Sequence, residues 1–362
     1  MPNNTCLLFI QQRPNKGGAQ TCLARLLGQP RLQARNPIVV TASTGWFTEQ
    51  CDRMGVTHFQ VPFPRSRALK GRLWQNRQFA RTVHQALQQK QRHPLWVHGN
   101  DHWEGLLTQA TAKQCHAKSA LFLRSPGMTQ RDYVKYHCQW PDLVSVVGDE
   151  LHARACGWDQ NRPFALIHDG IDPVEFLPLK AKAPAFPKRI LVIGSHLDWK
   201  GWADLTDAVF QLEQNGLDPT VEFHFTGHAP DPASNDLKLE RHQEKRFQFL
   251  GFTDAFQERV LRYDLVINPS RQESFGMAAL EVIAAGVPLL SSRSGIIEQV
   301  IEDERFLFKT HDSQDFARAL RQLMENWPAW ESDWKAAQAR ILARFSVDQT
   351  VDKLLKAYQS FE

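Results

Sequence analysis

The stretch Asn268-Pro-Ser-Arg-Gln-Glu273-Ser-Phe-Gly276-Met-Ala-Ala-Leu-Glu281-Val-Ile-Ala-Ala-Gly286-Val-Pro288 decides the fold class of this chain. An apolar run, Leu265–Asn268, enters it as a strand, and a polar loop then carries Glu273. Gly276 opens an Ala-rich helix, Gly286 closes it, and Pro288 begins the next apolar run. Strand, loop, helix and strand in that order read as one repeat of a parallel α/β sheet. The start of such a helix offers unsatisfied N–H groups and the positive end of the dipole. Together these make an anion site suited to a phosphate or pyrophosphate. Gly276 lets the backbone approach that ligand with no Cβ in the way. Glu273 can reach into the same space from the loop, and Glu281 from inside the helix. Carboxylates bond vicinal hydroxyls well, so one can hold a sugar and the other a ribose. The spacing equally suits two solvated glutamates near a positive helix end.

Working outward, short apolar runs alternate with helical stretches in both directions. Before residue 178 the strand candidates are Cys6–Ile10, Ile38–Thr41, Leu95–His98, Ala120–Arg124, Leu143–Val147 and Phe164–Ile167. Helical spacing marks Ala19–Leu27, Leu73–Leu87 and Gly105–Ala112. The segment Pro178-Leu-Lys-Ala-Lys-Ala-Pro-Ala-Phe-Pro187 has three prolines and no periodicity, which reads as a linker. The alternation then resumes with Arg189–Ile193, Val221–Thr226, Phe247–Leu250, Leu265–Asn268, Pro288–Ser291 and Phe306–Phe308. Helices are expected over Gly201–Gln214, Gly276–Ala285 and Asp312–Asn326. The expectation is therefore two Rossmann-like, doubly wound parallel-sheet domains, 1–177 and 189–345, joined by a linker at 178–188. In such sheets ligands lie at the carboxyl ends of the strands. Residues 346–362 form a last amphipathic helix through Val351, Leu354, Leu355 and Tyr358.

Length and composition agree with this division. A chain of 362 residues exceeds one ordinary core. Its 42% hydrophobic and 23% charged residues are those of a globular protein. No apolar stretch approaches the roughly 20 residues of a spanning helix, and residues 1–10 lack the basic region of a secretory signal. The expected location is the cytoplasm, with the inner face of the plasma membrane as a second. All six cysteines lie in the first half and none forms a CxxC pair, so they read as thiols in a reducing compartment. Between Asp52 and Asp101 there is no acidic residue, whereas Arg53, Arg65, Arg67, Lys70, Arg72, Arg77, Arg81, Lys90 and Arg92 all fall there. That stretch, 53–92, suits an anionic surface or a phosphate-bearing acceptor; it also suits a solvated helix face.

At Glu273 and Glu281 the chain resembles retaining glycosyltransferases of the GT-B fold, whose E-x7-E motif these residues reproduce, and the context is similar to family 4. Further fragments fall in the family's order. They are Gly17-Gly18-Ala19-Gln20, His168-Asp-Gly170-Ile-Asp172, Ile193-Gly194, Lys200-Gly201, Phe225-Thr-Gly227, Phe249-Leu-Gly251 and Gly295-Ile-Ile-Glu298. The resemblance implies a metal-independent transfer of a sugar from a nucleotide diphosphate, with no cofactor besides that donor. A UDP-sugar is favoured and a GDP-sugar is second. The implied acceptor is a glycan or glycolipid, as in bacterial surface polysaccharide or lipopolysaccharide synthesis. By the same resemblance Lys200 neutralises the donor diphosphate, Glu281 binds the ribose, and Glu273 holds the transferred sugar. The N–H groups of Phe275, Gly276 and Met277 cradle the phosphates, with Gly194 beside them, and Gly17 and Gly18 form a loop over the donor. The last helix crosses back to the first domain in that family.

Two departures stand out. The family places an arginine after the glycine that precedes Lys-Gly, and here Ser195 and then His196 follow Gly194. Serine lacks the bidentate phosphate contact, and Arg271 and His196 are the candidates to replace it. The family also tends to carry a histidine near the reacting sugar. Leu121-Phe-Leu-Arg-Ser-Pro126 has none, which leaves Arg124, or His98 at the end of the preceding strand. These departures keep open a non-catalytic nucleotide-sugar-binding protein derived from the same fold. A dehydrogenase would need G-x-G-x-x-G after the first strand, which is missing. A nucleic-acid partner is not expected, because the basic stretch belongs to no recognisable binding module.

Overall fold

The computed structural model describes residues 4–64, 69–176, 186–231, 237–242, 246–253, 255–327 and 331–361. Within the basic stretch, Arg65 and Arg67 lie outside the described residues, as do residues 178–185 of the expected linker. The chain forms two compact units, one of residues 1–170 with 347–362 and one of residues 171–346.

In the first unit seven strands follow the chain: β1 Thr5–Ile10, β2 Pro37–Thr41, β3 Thr57–Gln60, β4 His93–Gly99, β5 Lys118–Leu123, β6 Leu143–Val146 and β7 Phe164–Leu166. All pairs are parallel and the order across the sheet is β3-β2-β1-β4-β5-β6-β7. Strands β2 and β6 are buried at every position, as expected of a sheet covered on both faces by crossover helices. The second unit repeats the plan with β8 Arg189–Val192, β9 Glu222–Phe225, β10 Phe247–Phe249, β11 Leu265–Asn268, β12 Leu289–Ser292 and β13 Leu307–Phe308. Its order is β10-β9-β8-β11-β12-β13, again parallel throughout. Each sheet reverses its winding once, between β1 and β4 and between β8 and β11. Crevices for ligands open at such points.

The division between units falls earlier than the proline-rich segment. Gly170 lies in the first unit, where a Cβ would collide with the backbone of Val347. Thr350 also donates its hydroxyl to the His168 carbonyl there, at 2.9 Å. The next residue, Ile171, pairs with Ser346 in the second unit and donates its N–H to the Phe345 carbonyl at 2.7 Å. Residues 171–176 thus belong with the second unit. The helix Val347–Gln359 belongs to the first unit, burying Val351, Leu354, Leu355 and Tyr358. There the Tyr358 ring stacks on Trp96 of β4 at 4.6 Å between centroids.

Candidate active site

The second unit brings most of the expected donor residues to one edge of its sheet. After β8 the chain turns at Gly194, whose φ of 119° is open mainly to glycine. The N–H of Gly194 bonds the Thr226 hydroxyl at 3.1 Å, and that hydroxyl donates back to the Gly194 carbonyl at 3.0 Å. The ends of β8 and β9 are thereby tied. A single 3₁₀ turn, Asp198–Lys200, follows, and Gly201 closes it at φ 66°. A Cβ on Gly201 would collide with the Pro269 carbonyl, so the Lys200 turn sits directly on the loop after β11. Arg271 strengthens that seating: its N–H bonds the Trp199 carbonyl at 2.8 Å, and its guanidinium grips Asp204 at 2.7 and 2.8 Å and Asp198 at 2.5 Å.

The consequence is a close pair at the mouth of the crevice. Lys200 donates from Nζ to Oε1 of Glu273 at 2.6 Å, and both side chains remain partly open to solvent. Beneath them a buried serine ladder holds the loop. Asn268 donates to the Ser291 hydroxyl at 3.1 Å, and the Ser292 hydroxyl to the Ser270 carbonyl at 2.5 Å. From the other side, the N–H of Ile296 bonds the Phe275 carbonyl at 2.9 Å. Gly295, at φ 64°, lies so close to Phe275 and Glu273 that a side chain would not fit.

The helix Met277–Ala284 begins at Gly276, with φ 96° and no side-chain cap. Its first-turn N–H groups therefore have no intrahelical acceptor. A Cβ on Gly276 would meet only Ile297 at 3.7 Å, so its conformation rather than crowding requires glycine. Glu281 lies on this helix, 9% exposed. Gly194, Lys200, Glu273 and Phe275 are thus held on the linked loops after β8, β11 and β12, and Ser195, Gly276, Met277 and Glu281 lie on the same segments. A residue that no motif points to joins them. The indole of Trp202 is 2% exposed, its Nε1 lies beside Gly194, and that N–H has no hydrogen-bond partner.

Arg271 has partners that the sequence did not announce. Its guanidinium is held by two aspartates, whose hydrogen bonds push its pKa still higher, so in this structure it braces the turn. In the first unit, Gly17 caps the helix Gly18–Gly28 in an extended conformation, with no side-chain cap. His98 corrects an expectation. It is 1% exposed, stacked between Phe9 and Phe122, and its Nδ1 lies 2.5 Å from the Tyr358 hydroxyl. Burial, with Arg124 nearby, pulls its pKa down to about 3, so it is a neutral core residue. Arg124 is likewise buried in an ion pair with Asp169 at 2.5 Å.

Residues 187–326 match the sequence profile of glycosyl transferases group 1. Among curated relatives, the D-inositol 3-phosphate glycosyltransferase of Corynebacterium aurimucosum is 30% identical over 220 residues, 57% of this chain and 49% of that protein. The chain spans about half the length of the curated relatives it matches first. Among solved structures, Anabaena HepE, determined in complex with UDP and glucose, superposes with a TM-score of 0.79 at 19% identity, covering 99% of this chain and 100% of that one. Sucrose-phosphate synthase of Thermosynechococcus elongatus gives 0.75 at 17% identity, covering 99% of both chains. The fold therefore matches these two solved structures over 99% of the chain, and residues 187–326 match the glycosyl transferases group 1 profile.

Proposed function

We propose that the protein is a retaining glycosyltransferase that moves a sugar from a nucleotide diphosphate, UDP before GDP, to a glycan or glycolipid acceptor without a divalent metal. One observation carries the reading. Lys200 and Glu273 meet at 2.6 Å beside the uncapped start of the helix that bears Glu281. A diphosphate entering this corner takes Lys200 from Glu273 and accepts the first-turn N–H groups. Lysine and helix dipole then stabilise the charge that gathers on the leaving group. Glu273, released, is free for the hydroxyls of the transferred sugar, and Glu281 serves the ribose. No protein base is assigned, and His98 has no part in the chemistry. The exposed Arg53, Arg77 and Arg81 support an anionic membrane surface beside the acceptor.

The test is nucleotide release from UDP- and GDP-sugars in EDTA, with and without mixed glycan acceptors. Release by the wild type, and its loss by about a hundredfold or more in Lys200→Ala, is the expected result. A second reading, a nucleotide-sugar-binding protein without turnover, is favoured by Ser195 in the arginine's place. Donor binding with no release under any condition would select it.

A further inference from the structure

We infer that the indole N–H of Trp202 is a further phosphate-binding group of this chain, covered by Lys200 until a nucleoside diphosphate draws that lysine away. Trp202 is the first residue of the helix Trp202–Gln214, whose N-cap, Gly201, gives no side-chain cap. The N–H groups of the first turn have no intrahelical acceptor, and such a helix start favours an anion. Asp204, the acidic side chain of that turn, is held by Arg271 at 2.7 and 2.8 Å, so its charge is compensated.

The indole itself gives the independent sign of a missing ligand. It is 2% exposed and packs against Phe225 at 4.5 Å and Phe249 at 5.9 Å between centroids. Its far edge lies under Gly227, where a Cβ would come within 3.0 Å of Cη2, so the ring has little room to turn. Among the described residues its Nε1 has no hydrogen-bond partner. An indole N–H can only donate, and a buried donor without an acceptor is costly.

What covers Nε1 shows how an acceptor reaches it. A Cβ built on Gly194 would lie 3.4 Å from Nε1, 3.3 Å from the Lys200 Cβ and 3.5 Å from its Cδ. The Lys200 stem and the indole nitrogen thus flank the same face of Gly194, and methylenes accept no hydrogen bond. Nζ holds the stem there through its bond to Glu273 at 2.6 Å. On the donor-site reading, on which this assignment rests, a diphosphate takes Nζ and shifts the stem. A phosphate oxygen then approaches Gly194, within reach of Nε1. Lysine, first-turn N–H groups and indole are all donors, which suits an oxygen that carries only lone pairs. Ser195 lacks an arginine's two parallel contacts, and the indole N–H supplies part of what is missing.

Full-length protein labelled at its indole nitrogens tests this by NMR in EDTA, with the Trp202 signal assigned from its proximity to the Phe225 ring. The nucleotide that binds, UDP before GDP, and inorganic pyrophosphate are each expected to move the Trp202 indole proton downfield. The matching nucleoside is expected to leave it in place. Trp202→Phe, which keeps an aromatic ring against Phe225, is expected to bind that nucleotide about tenfold more weakly. Three results overturn the assignment: a Trp202 signal unmoved in wild type saturated with nucleotide, an equal shift from the nucleoside, or a folded Trp202→Phe protein that binds as tightly as wild type. Failure of UDP, GDP and pyrophosphate to bind overturns it together with the donor site. A shifted signal in a protein that releases no nucleotide from its sugar conjugates keeps the contact and removes the transferase reading.

Discussion

Single residues account for most of the site's geometry. Gly201 is bound twice over, by its left-handed φ and by contact with Pro269. Gly201→Ala should therefore cost about 3 kcal/mol by urea unfolding of the second unit, whereas Gly18→Ala, in open space, should cost well under about 1 kcal/mol. His98 predicts a pH dependence. The folded state holds it neutral to about pH 3, and the unfolded chain protonates it below about 6.5. Protons thus favour the unfolded state as pH falls through that window, and stability is lost with acid. Between pH 6.5 and 5 the loss from this residue is about 2 kcal/mol. His98→Phe, which keeps the aromatic stack, should flatten that slope; an unchanged slope in urea titrations would contradict the assignment. A histidine at a strand end reads the same way in sequence whether it lines a crevice or packs under Tyr358. Its partner lies 260 residues away in the chain, so its role was not legible there.

Elements were more legible than residues. The expected strand at Leu265–Asn268 coincides with β11, and the others differ by one or two residues at their ends. Buried parallel strands form continuous apolar runs, which is why they stand out. The edge strand β3, Thr57-His-Phe-Gln60, has a single apolar residue and no buried position, so nothing in its pattern announced it. The helices Trp46–Met54, Asp149–Trp158 and Glu331–Arg344 also went unread. In Asp149–Trp158 only Leu151 and Ala155 are buried, too few to set a period. For the site, the close approaches at Gly201 and Gly295 were visible because glycines at fixed offsets mark them. The brace from Arg271 to Asp198 and Asp204 was not, since charge pairs across loops leave no spacing signal. The last helix supplies the prediction at this scale. Removing residues 347–362 exposes Trp96 and deletes four large buried side chains. At about 1.5–3 kcal/mol each, the first unit should lose more than about 5 kcal/mol and fail to give a cooperative melt. A truncated protein with the wild-type melting profile would contradict this packing.

At the scale of the whole molecule, the two units share one plan of winding, and the group 1 profile falls on residues 187–326, where the proposed donor site also lies. Among the described residues no helix is long and apolar enough to cross a membrane. The proposed transferase requires that a nucleoside diphosphate bind at Lys200, Gly276 and Glu281 without metal. Isothermal titration with UDP and GDP in EDTA tests it most directly, on the wild type and on Lys200→Ala and Glu281→Ala. The prediction is one bound nucleotide per chain for the wild type, weakened at least about tenfold in each variant. Wild-type binding that needs added metal, or variants that bind as tightly as wild type, would contradict it.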